Sequence, residues 1–168
     1  MNDSANDDMA TARSEASHAS NDVTIREVRS FEDFPSWASP DDLAQFLYES
    51  LKPYEDPLRD VRQGITDALV PQSGKPGFVL IADIDEKIVG GLIMLRTGMK
   101  GYVPENLLLM VAVDPVTRGK GVGSQLIKRS FDLAEGDVKL HVEYNNPAKR
   151  LYERLGMTNK YAEMRYYN

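Results

Sequence analysis

A glycine-rich loop, Arg118-Gly119-Lys120-Gly121-Val122-Gly123-Ser124, follows the apolar run Leu107–Val113 and opens a helical pattern. Asp114-Pro115 marks a turn between the apolar strand and the loop. The three glycines allow the backbone to approach a ligand closely, and the amides that open a helix point toward an anion. Arg118 and Lys120 add positive charge. The pattern therefore predicts a strand–loop–helix unit that holds a phosphate.

The residues before this unit predict antiparallel strands and two helices. An alternating pattern at Val23–Val28 is typical of a half-buried strand, and two apolar runs separated only by residues 83–86 predict a hairpin. Helical patterns occupy the interval between the first strand and the hairpin. These elements are the helices around Leu43–Leu47 and Leu58–Leu69 and the strands Phe78–Ala82 and Lys87–Leu95.

The residues after the loop predict a β–α–β–α order. A helix runs from Val122 to Glu135, and Gly136 is typical of the residue after a helix end. A strand at Val138–Val142 follows, and Asn146-Pro147 resembles a helix cap with proline in the first turn. The Tyr-rich residues 158–167 predict one or two further strands. Antiparallel strands followed by a crossover predict the α/β class, with a mixed, largely antiparallel sheet and helices on both faces.

The organisation expected is one domain at residues 23–168, preceded by an acidic tail at residues 1–22. The tail carries five acidic residues against Arg13 alone and has no aromatic or β-branched aliphatic residue. Such a segment buries too little apolar surface to offset its ordering entropy, so we expect it to be flexible. The 168 residues, 42% of them hydrophobic, suffice for one domain with a core.

Composition argues against several classes of protein. The net charge of −6 does not suit a nucleic-acid binder, and no apolar run approaches the ~20 residues of a membrane span. Cysteine is absent, and the two histidines, His18 and His141, are far apart, so neither a disulfide framework nor a metal site is expected. No secretory or transit signal is recognisable at the start. We therefore expect a cytoplasmic protein with no metal, no membrane partner and no nucleic-acid partner.

Two common nucleotide-binding patterns fail on the loop. The phosphate loop of many nucleotide hydrolases needs Gly-Lys followed by Ser or Thr, whereas Gly119-Lys120 is followed by Gly121. A dinucleotide fingerprint would need its last glycine at Ser124 or Leu126. Glu143 stands about 20 residues on, where a ribose-binding acid would lie, but the antiparallel strands upstream do not suit that fold.

A third pattern fits. Arg118-x-x-Gly121-x-Gly123 after a strand ending in Val113-Asp114-Pro115 resembles the acetyl-CoA loop of the GNAT superfamily of N-acetyltransferases. A second stretch, Asn145-x-x-Ala148-x-x-Leu151-Tyr152-Glu153-x-Leu155-Gly156, resembles that family's late asparagine and tyrosine motif, with Met157 where phenylalanine is usual. The resemblance covers about residues 23–168 and includes the order of strands and helices.

The resemblance implies where acetyl-CoA would bind. Val111 and Val113 would pair through main-chain atoms with the pantetheine arm. The arm would lie in a gap between the strand Leu107–Val113 and the strand Val138–Val142. The loop amides at the positive end of the helix dipole would wrap the pyrophosphate, with charge from two side chains. Asn145 would bond the arm as it leaves the strands. The loop residues concerned are Arg118, Gly119, Lys120, Gly121, Val122, Gly123 and Ser124.

The resemblance also implies catalytic roles. The Val111 amide would stabilise the oxyanion, and Tyr152 would assist departure of the sulfur as acid or hydrogen-bond donor, unless it is merely a core aromatic. Family members often carry a glutamate in the strand near Leu109, where this chain has no acid. Glu105, at the strand's entry, is the nearest candidate base, and a solvated loop carboxylate is the alternative.

The function expected is transfer of acetyl from acetyl-CoA to a primary amine, by direct attack in a ternary complex. The acceptor is a small-molecule or peptide amine, which Glu55 and Asp56 could recognise if it is cationic. An inactive acyl-CoA-binding regulatory module and a transferase of longer acyl groups remain as alternatives. Sheet packing or a homodimer contact would account for Tyr161, Tyr166 and Tyr167.

Overall fold

A computed structural model describes residues 22–168. Within these residues, five strands form one sheet in the order β1-β2-β3-β4-β5, and four α-helices cover it. The strands are β1 (Thr24–Val28), β2 (Phe78–Ile84), β3 (Lys87–Arg96), β4 (Asn106–Val113) and β5 (Val138–Leu140). The helices are α1 (Pro40–Leu51), α2 (Leu58–Leu69), α3 (Val122–Leu133) and α4 (Lys149–Arg154). The predicted α/β class and the mixed, mostly antiparallel sheet are confirmed.

Local sequence signals explain where these elements begin and end. The Ser39 hydroxyl accepts a hydrogen bond from the Asp42 amide at 3.1 Å and Pro40 opens α1, which is a capping box with proline in the first turn. The hairpin of β2 and β3 turns at Asp85 and Glu86, both with positive φ. The Asn146 side chain accepts from the Ala148 amide at 2.9 Å in a turn before α4, but the helix begins at Lys149 with Ala148 as its cap, so the cap predicted at Asn146 is wrong.

The helices form one layer on each face of the sheet. One cluster packs α1 and α2 against one face, and its buried members include Leu43, Leu47, Val61, Ile65, Val79, Ile81, Ile93 and Met110. The other packs α3 and α4 against the opposite face, around Phe78, Leu80, Leu92, Leu108, Leu126 and Ile127. Gly90 and Gly91 permit this approach: a Cβ on Gly90 would lie 2.8 Å from Leu126, and one on Gly91 would lie 2.8 Å from Leu43. These two glycines therefore let one helix approach each face of β3 closely.

The centre of the sheet carries a bulge and a partial pairing. Ile93 pairs with Met110 and Met94 with Leu108, so Leu109 is an extra residue in β4. β4 and β5 are parallel, but their register covers only Asn106–Leu108 opposite Val138–Leu140. The sheet therefore separates beyond Leu108, on the side of β4 that faces β5.

Two expectations about strands change. The strand predicted at Val138–Val142 ends at Leu140, and the one or two strands predicted at residues 158–167 are wrong, because residues 157–168 carry no regular secondary structure. Without a hydrogen-bonded neighbour, an alternating pattern does not by itself make a strand. The tail predicted at residues 1–22 lies outside the described residues except for Asp22.

Candidate functional site

The first turn of α3 offers a row of free backbone donors. Gly121 caps the helix at φ +83°, and Gly119 at φ +79° makes the turn before it. The Gln125 amide donates to the Gly121 carbonyl at 3.0 Å, whereas the amides of Val122, Gly123 and Ser124 have no backbone acceptor among residues 22–168. A Cβ on Gly119 would meet nothing within 4 Å, so the loop is open on that side. Free amides at the positive end of a helix dipole suit an anion such as a diphosphate.

The end of β4 and helix α4 lie against this turn. A Cβ on Gly123 would lie 3.4 Å from the Val113 side chain and 3.5 Å from that of Leu151. Tyr152, the next residue of α4, packs into the same cluster as Val111 and Val113. The structure therefore brings the predicted tyrosine and the predicted strand residues to one side of the loop.

Burial changes the acidity of Tyr152. Its side chain packs among apolar residues of α3, α4 and β4, and this burial raises the pKa of Tyr152 to about 12. The phenol is therefore protonated across the neutral and mildly alkaline range, where it can donate a hydrogen bond. Proton transfer to a thiolate, whose conjugate thiol has a pKa of about 8.5, would be uphill by about 5 kcal/mol.

The edge of β4 is open where the site residues lie. Because pairing with β5 ends at Leu108, residues 109–113 have no strand beside them on that edge within the described part of the chain. Five residues of strand correspond to about 17 Å of backbone. Val111 and Val113 stand in this interval and are half-buried.

Arg118 makes contacts that the sequence pattern did not indicate. Its guanidinium donates to the Ser50 carbonyl at 2.7 Å and to the Val113 carbonyl at 3.3 Å. The Ser50 carbonyl belongs to the last turn of α1, where carbonyl groups have no N–H donor within the helix. Arg118 therefore connects the loop to α1 as well as carrying charge to it, while Lys120 is exposed.

A second connection crosses the open edge. The Tyr54 hydroxyl, in the turn between α1 and α2, donates to the main-chain carbonyl of Asn145 at 3.4 Å. Glu55 and Asp56 follow Tyr54 in that turn. The sequence predicts that Glu55 and Asp56 recognise the amine acceptor and that Asn145 binds the cofactor. The two carboxylates lie in the same turn as Tyr54, which contacts Asn145.

Glu105 lies at the opposite end of β4. Its carboxylate accepts from the Asp137 amide at 2.9 Å, and hydrogen bonds from the backbone amides of Glu105 itself and of Asp137 lower the pKa of this carboxyl. Six residues of strand place it about 20 Å from Val111. The expectation that Glu105 acts as general base is not supported by this placement, because a base must reach the reacting proton directly or through one water. Its contact instead ties the start of β4 to the start of β5.

Sequence reasoning missed the polar cluster around Asn106. This fully buried side chain donates to the carbonyls of Glu135 and Asp137 at 3.0 and 3.1 Å and accepts from Arg96 at 3.2 Å. An asparagine at the head of an apolar strand was the only available signal, and it reads equally well as a turn residue. Tyr54 was also missed, since nothing local distinguishes a tyrosine in a loop.

Further features adjoin the site. A cleft of about 490 Å3 lies beside the first turn of α3, lined by Lys120, Val122, Gln125, Thr117, Ile84 and Val23 together with Asp22. Within residues 22–168, no group of three or more acidic or histidine side chains is placed to hold a metal ion. Among the described helices, none has the length and apolar character needed to cross a membrane.

The residues that form this site match a known protein family. Residues 75–157, which include the loop, the open edge of β4 and all of α4, match the acetyltransferase (GNAT) domain. The chain belongs to the GNAT superfamily. N-alpha-acetyltransferase 30 from Xenopus laevis is 33% identical over 97 residues, which is 55% of this chain and 36% of the frog protein. The match thus spans about a third of that relative's length.

Solved structures share the GNAT fold. A possible acetyltransferase from Clostridium difficile 630 has a TM-score of 0.62 at 24% identity, covering 87% of this chain and 97% of its own. An aminoglycoside N-acetyltransferase in complex with CoA has a TM-score of 0.62 at 16% identity, covering 88% of this chain and 95% of its own. At these identities the likeness shows the fold.

Proposed function

We propose that this GNAT protein transfers an acetyl group from acetyl-CoA to a primary amine, which attacks the thioester directly while both substrates are bound. One observation carries the proposal: the free amides of the first turn of α3 lie beside the open edge of β4. Donors for a diphosphate and an unpaired strand for an amide-bearing arm thus occupy adjacent positions. The GNAT match over the same residues supports this use.

The chain's own residues divide the work. Amides of residues 119–124 bind the diphosphate, with Lys120 adding charge, while main-chain groups of Val111 and Val113 hold the arm in an extended form. Arg118 orients the loop through Ser50 and contributes positive charge. Asn145, whose main-chain carbonyl accepts a hydrogen bond from the Tyr54 hydroxyl, binds the pantetheine arm. Each amide contact with an ionised oxygen is worth roughly 1.5–3 kcal/mol.

Tyr152 and Val111 act at the reacting atoms. The Val111 amide stabilises the oxyanion that forms when the amine attacks the carbonyl. Tyr152, whose pKa is about 12, donates a hydrogen bond to the sulfur as negative charge develops there. The high pKa of Tyr152 makes it a donor that keeps its proton rather than a full acid.

The acceptor is proposed to be the N-terminal α-amine of a peptide or protein. Leu109 occupies the bulge of β4, and no carboxylate stands in residues 106–113, so the strand supplies no strong base. An α-amine with a pKa near 7.8 is about one-third neutral at pH 7.5, whereas a lysine amine is only about 0.1% neutral. A site without a base therefore favours an α-amine by more than about a hundredfold. The printed name of the Xenopus relative, an N-alpha-acetyltransferase, supports this class.

The test is release of free CoA from acetyl-CoA with matched peptides. One peptide has a free N-terminus and no lysine, and its partner has a blocked N-terminus and one internal lysine; an aminoglycoside is the small-molecule comparison. We expect turnover with the free N-terminus and at least about a hundredfold less with lysine at pH 7.5. Equal or better turnover with lysine or with the aminoglycoside would overturn the acceptor class while leaving acetyl transfer in place.

A regulatory acyl-CoA-binding module is the second candidate. The absence of a carboxylate from β4 is the observation that favours it. Calorimetry separates the two: binding of CoA with no turnover on any amine would establish the module, and no binding by well-folded protein would exclude both.

A further inference from the structure

The C-terminal segment, residues 160–168, lies beside the outer end of β5 without pairing to it. His141 Nδ1, just past β5, lies 3.9 Å from Glu163 Oε1, and His141 and Lys139 are among the charges that lower the pKa of Glu163. No strand is hydrogen-bonded to the outer edge of β5 within the described residues. The segment thus ends the sheet with its own backbone groups unpaired.

This segment exposes several large apolar side chains. The side chains of Tyr161, Met164, Tyr166 and Tyr167 are 77, 93, 89 and 78% exposed. Clustered large apolar side chains at this exposure are unusual on a monomer and indicate a surface that is covered in solution.

Side chains two residues apart lie on one side of the segment. Arg165 Nε and one terminal nitrogen contact the two Glu163 carboxylate oxygens at 3.0 and 3.1 Å. Glu163 first, and the Tyr167 side chain second, raise the pKa of Arg165. Glu163, Arg165 and Tyr167 therefore share one side, as alternate residues of a strand do.

The order of these side chains is self-complementary. In an antiparallel pair of two copies related by a twofold axis at Met164, Glu163 of each copy faces Arg165 of the other, and Tyr161 faces Tyr167. Opposite charges and paired aromatics at directly opposed positions stabilise antiparallel strands. Moving the axis by one residue, to Glu163 or Arg165, would place like charges opposite each other, so one register is favoured.

We propose that two copies of this chain form a twofold dimer by antiparallel pairing of residues 160–168, centred on Met164. The pairing satisfies the backbone groups of the segment and covers its tyrosines. Its register comes from two Glu163–Arg165 pairs, one at each side of the axis. The active-site loop at residues 118–124 takes no part, so acetyl transfer and dimerisation are separate properties.

The experiment is sedimentation equilibrium of the full 168-residue chain at low salt and at micromolar protein concentrations. An association free energy of about −8 kcal/mol is measurable at these concentrations. We expect a mass twice the 18.8 kDa of one chain. Glu163→Arg and Arg165→Glu, measured alone, each convert both opposite-charge pairs into like-charge pairs, which weakens the dimer by about tenfold or more. Both side chains are exposed, so thermal melting of each variant checks that the fold is retained.

Mixing the two variants supplies the decisive comparison. In a mixed pair, two arginines of one chain face two glutamates of the other, so a 1:1 mixture recovers the wild-type affinity. The intrachain Glu163–Arg165 contact stays broken in both chains, which means that a purely local role cannot produce recovery. A wild-type monomer throughout the range, variants that dimerise as tightly as wild type, or a mixture no tighter than its components would each overturn the proposal.

Discussion

The two ends of β4 differ in what satisfies their outer edge. At residues 106–108 the strand pairs with β5, and a buried asparagine, Asn106, ties it to residues 135 and 137. At residues 109–113 the same edge faces no strand among the described residues, and the free amides of α3 lie beside it. Polar side chains close the first end, while glycines and main-chain groups keep the second end open.

This difference teaches how one strand serves two purposes. At the closed end, residues 106–108 pair with β5 and hold the first residues of both strands together. The two strands therefore diverge only beyond Leu108. The bulge at Leu109 changes the twist of β4 at the place where divergence begins. Residues that look catalytic by type, such as Glu105, can belong to the closed end and stabilise the opening without taking part in chemistry.

The largest expected effect on the open end comes from Gly121→Val. A β-branched residue at φ +83° is strained and places side-chain atoms where the diphosphate approaches the amides. Loss of two charge-assisted hydrogen bonds, roughly 1.5 kcal/mol each, weakens CoA binding about a hundredfold. Calorimetry with CoA measures it. Gly101→Val is the matched control, since Gly101 has φ +85° and lies in the loop before the closed end; an equal loss of affinity there would mean that strain alone is responsible.

At the closed end, Asn106→Ala is expected to cost stability. It removes the two hydrogen bonds that this buried side chain donates to the carbonyls of Glu135 and Asp137, at about 2 kcal/mol of unfolding free energy. Urea unfolding measures the change, and Asn159→Ala, at an exposed asparagine, serves as comparison. Stability equal to wild type would show that the divergence of β4 and β5 does not depend on this side chain.

Tyr152→Phe addresses the chemistry at the open end. Removal of the hydroxyl is expected to lower kcat about tenfold, near 1.4 kcal/mol, with CoA affinity unchanged. Because the pKa of Tyr152 is raised to about 12, the protonated, active form persists as pH rises, so wild-type kcat has no descending limb between pH 7 and about 10. Tyr102→Phe, in the exposed loop before the closed end, is the control. Unchanged turnover in Tyr152→Phe would return this residue to a packing role.

The smallest effect is expected for Glu105→Gln. Since Glu105 lies about 20 Å of strand from Val111, we expect wild-type kcat and a Tm lower by a few degrees at pH 7. The folded-state pKa of Glu105 is lowered, so its stabilisation is present above the unfolded pKa and is lost as pH falls through the folded pKa. Melting curves of wild type and variant should therefore converge in acid, below about pH 4. A large fall in kcat would reinstate Glu105 as a base.

Much of the fold was predictable because its signals are local. The apolar alternation of β1, the hairpin of β2 and β3, the helical spacing of α2 and the glycine loop before α3 each lie within a short window of sequence. The strands predicted at residues 158–167 were wrong for the complementary reason. Alternation describes a side-chain pattern, whereas a strand also needs a backbone partner, and that partner is remote in sequence.

The candidate site divides in the same way. The order of residues by itself determined the helix-opening glycines and the tyrosine of α4, since a turn with positive φ and an exposed helix start depend on nearby residues. Only the tertiary structure decided that β4 opens after Leu108, that Arg118 reaches Ser50, and that Glu105 faces Asp137. Those contacts join residues 32 to 68 positions apart, and their geometry is set by the packing of both helical layers on one twisted sheet.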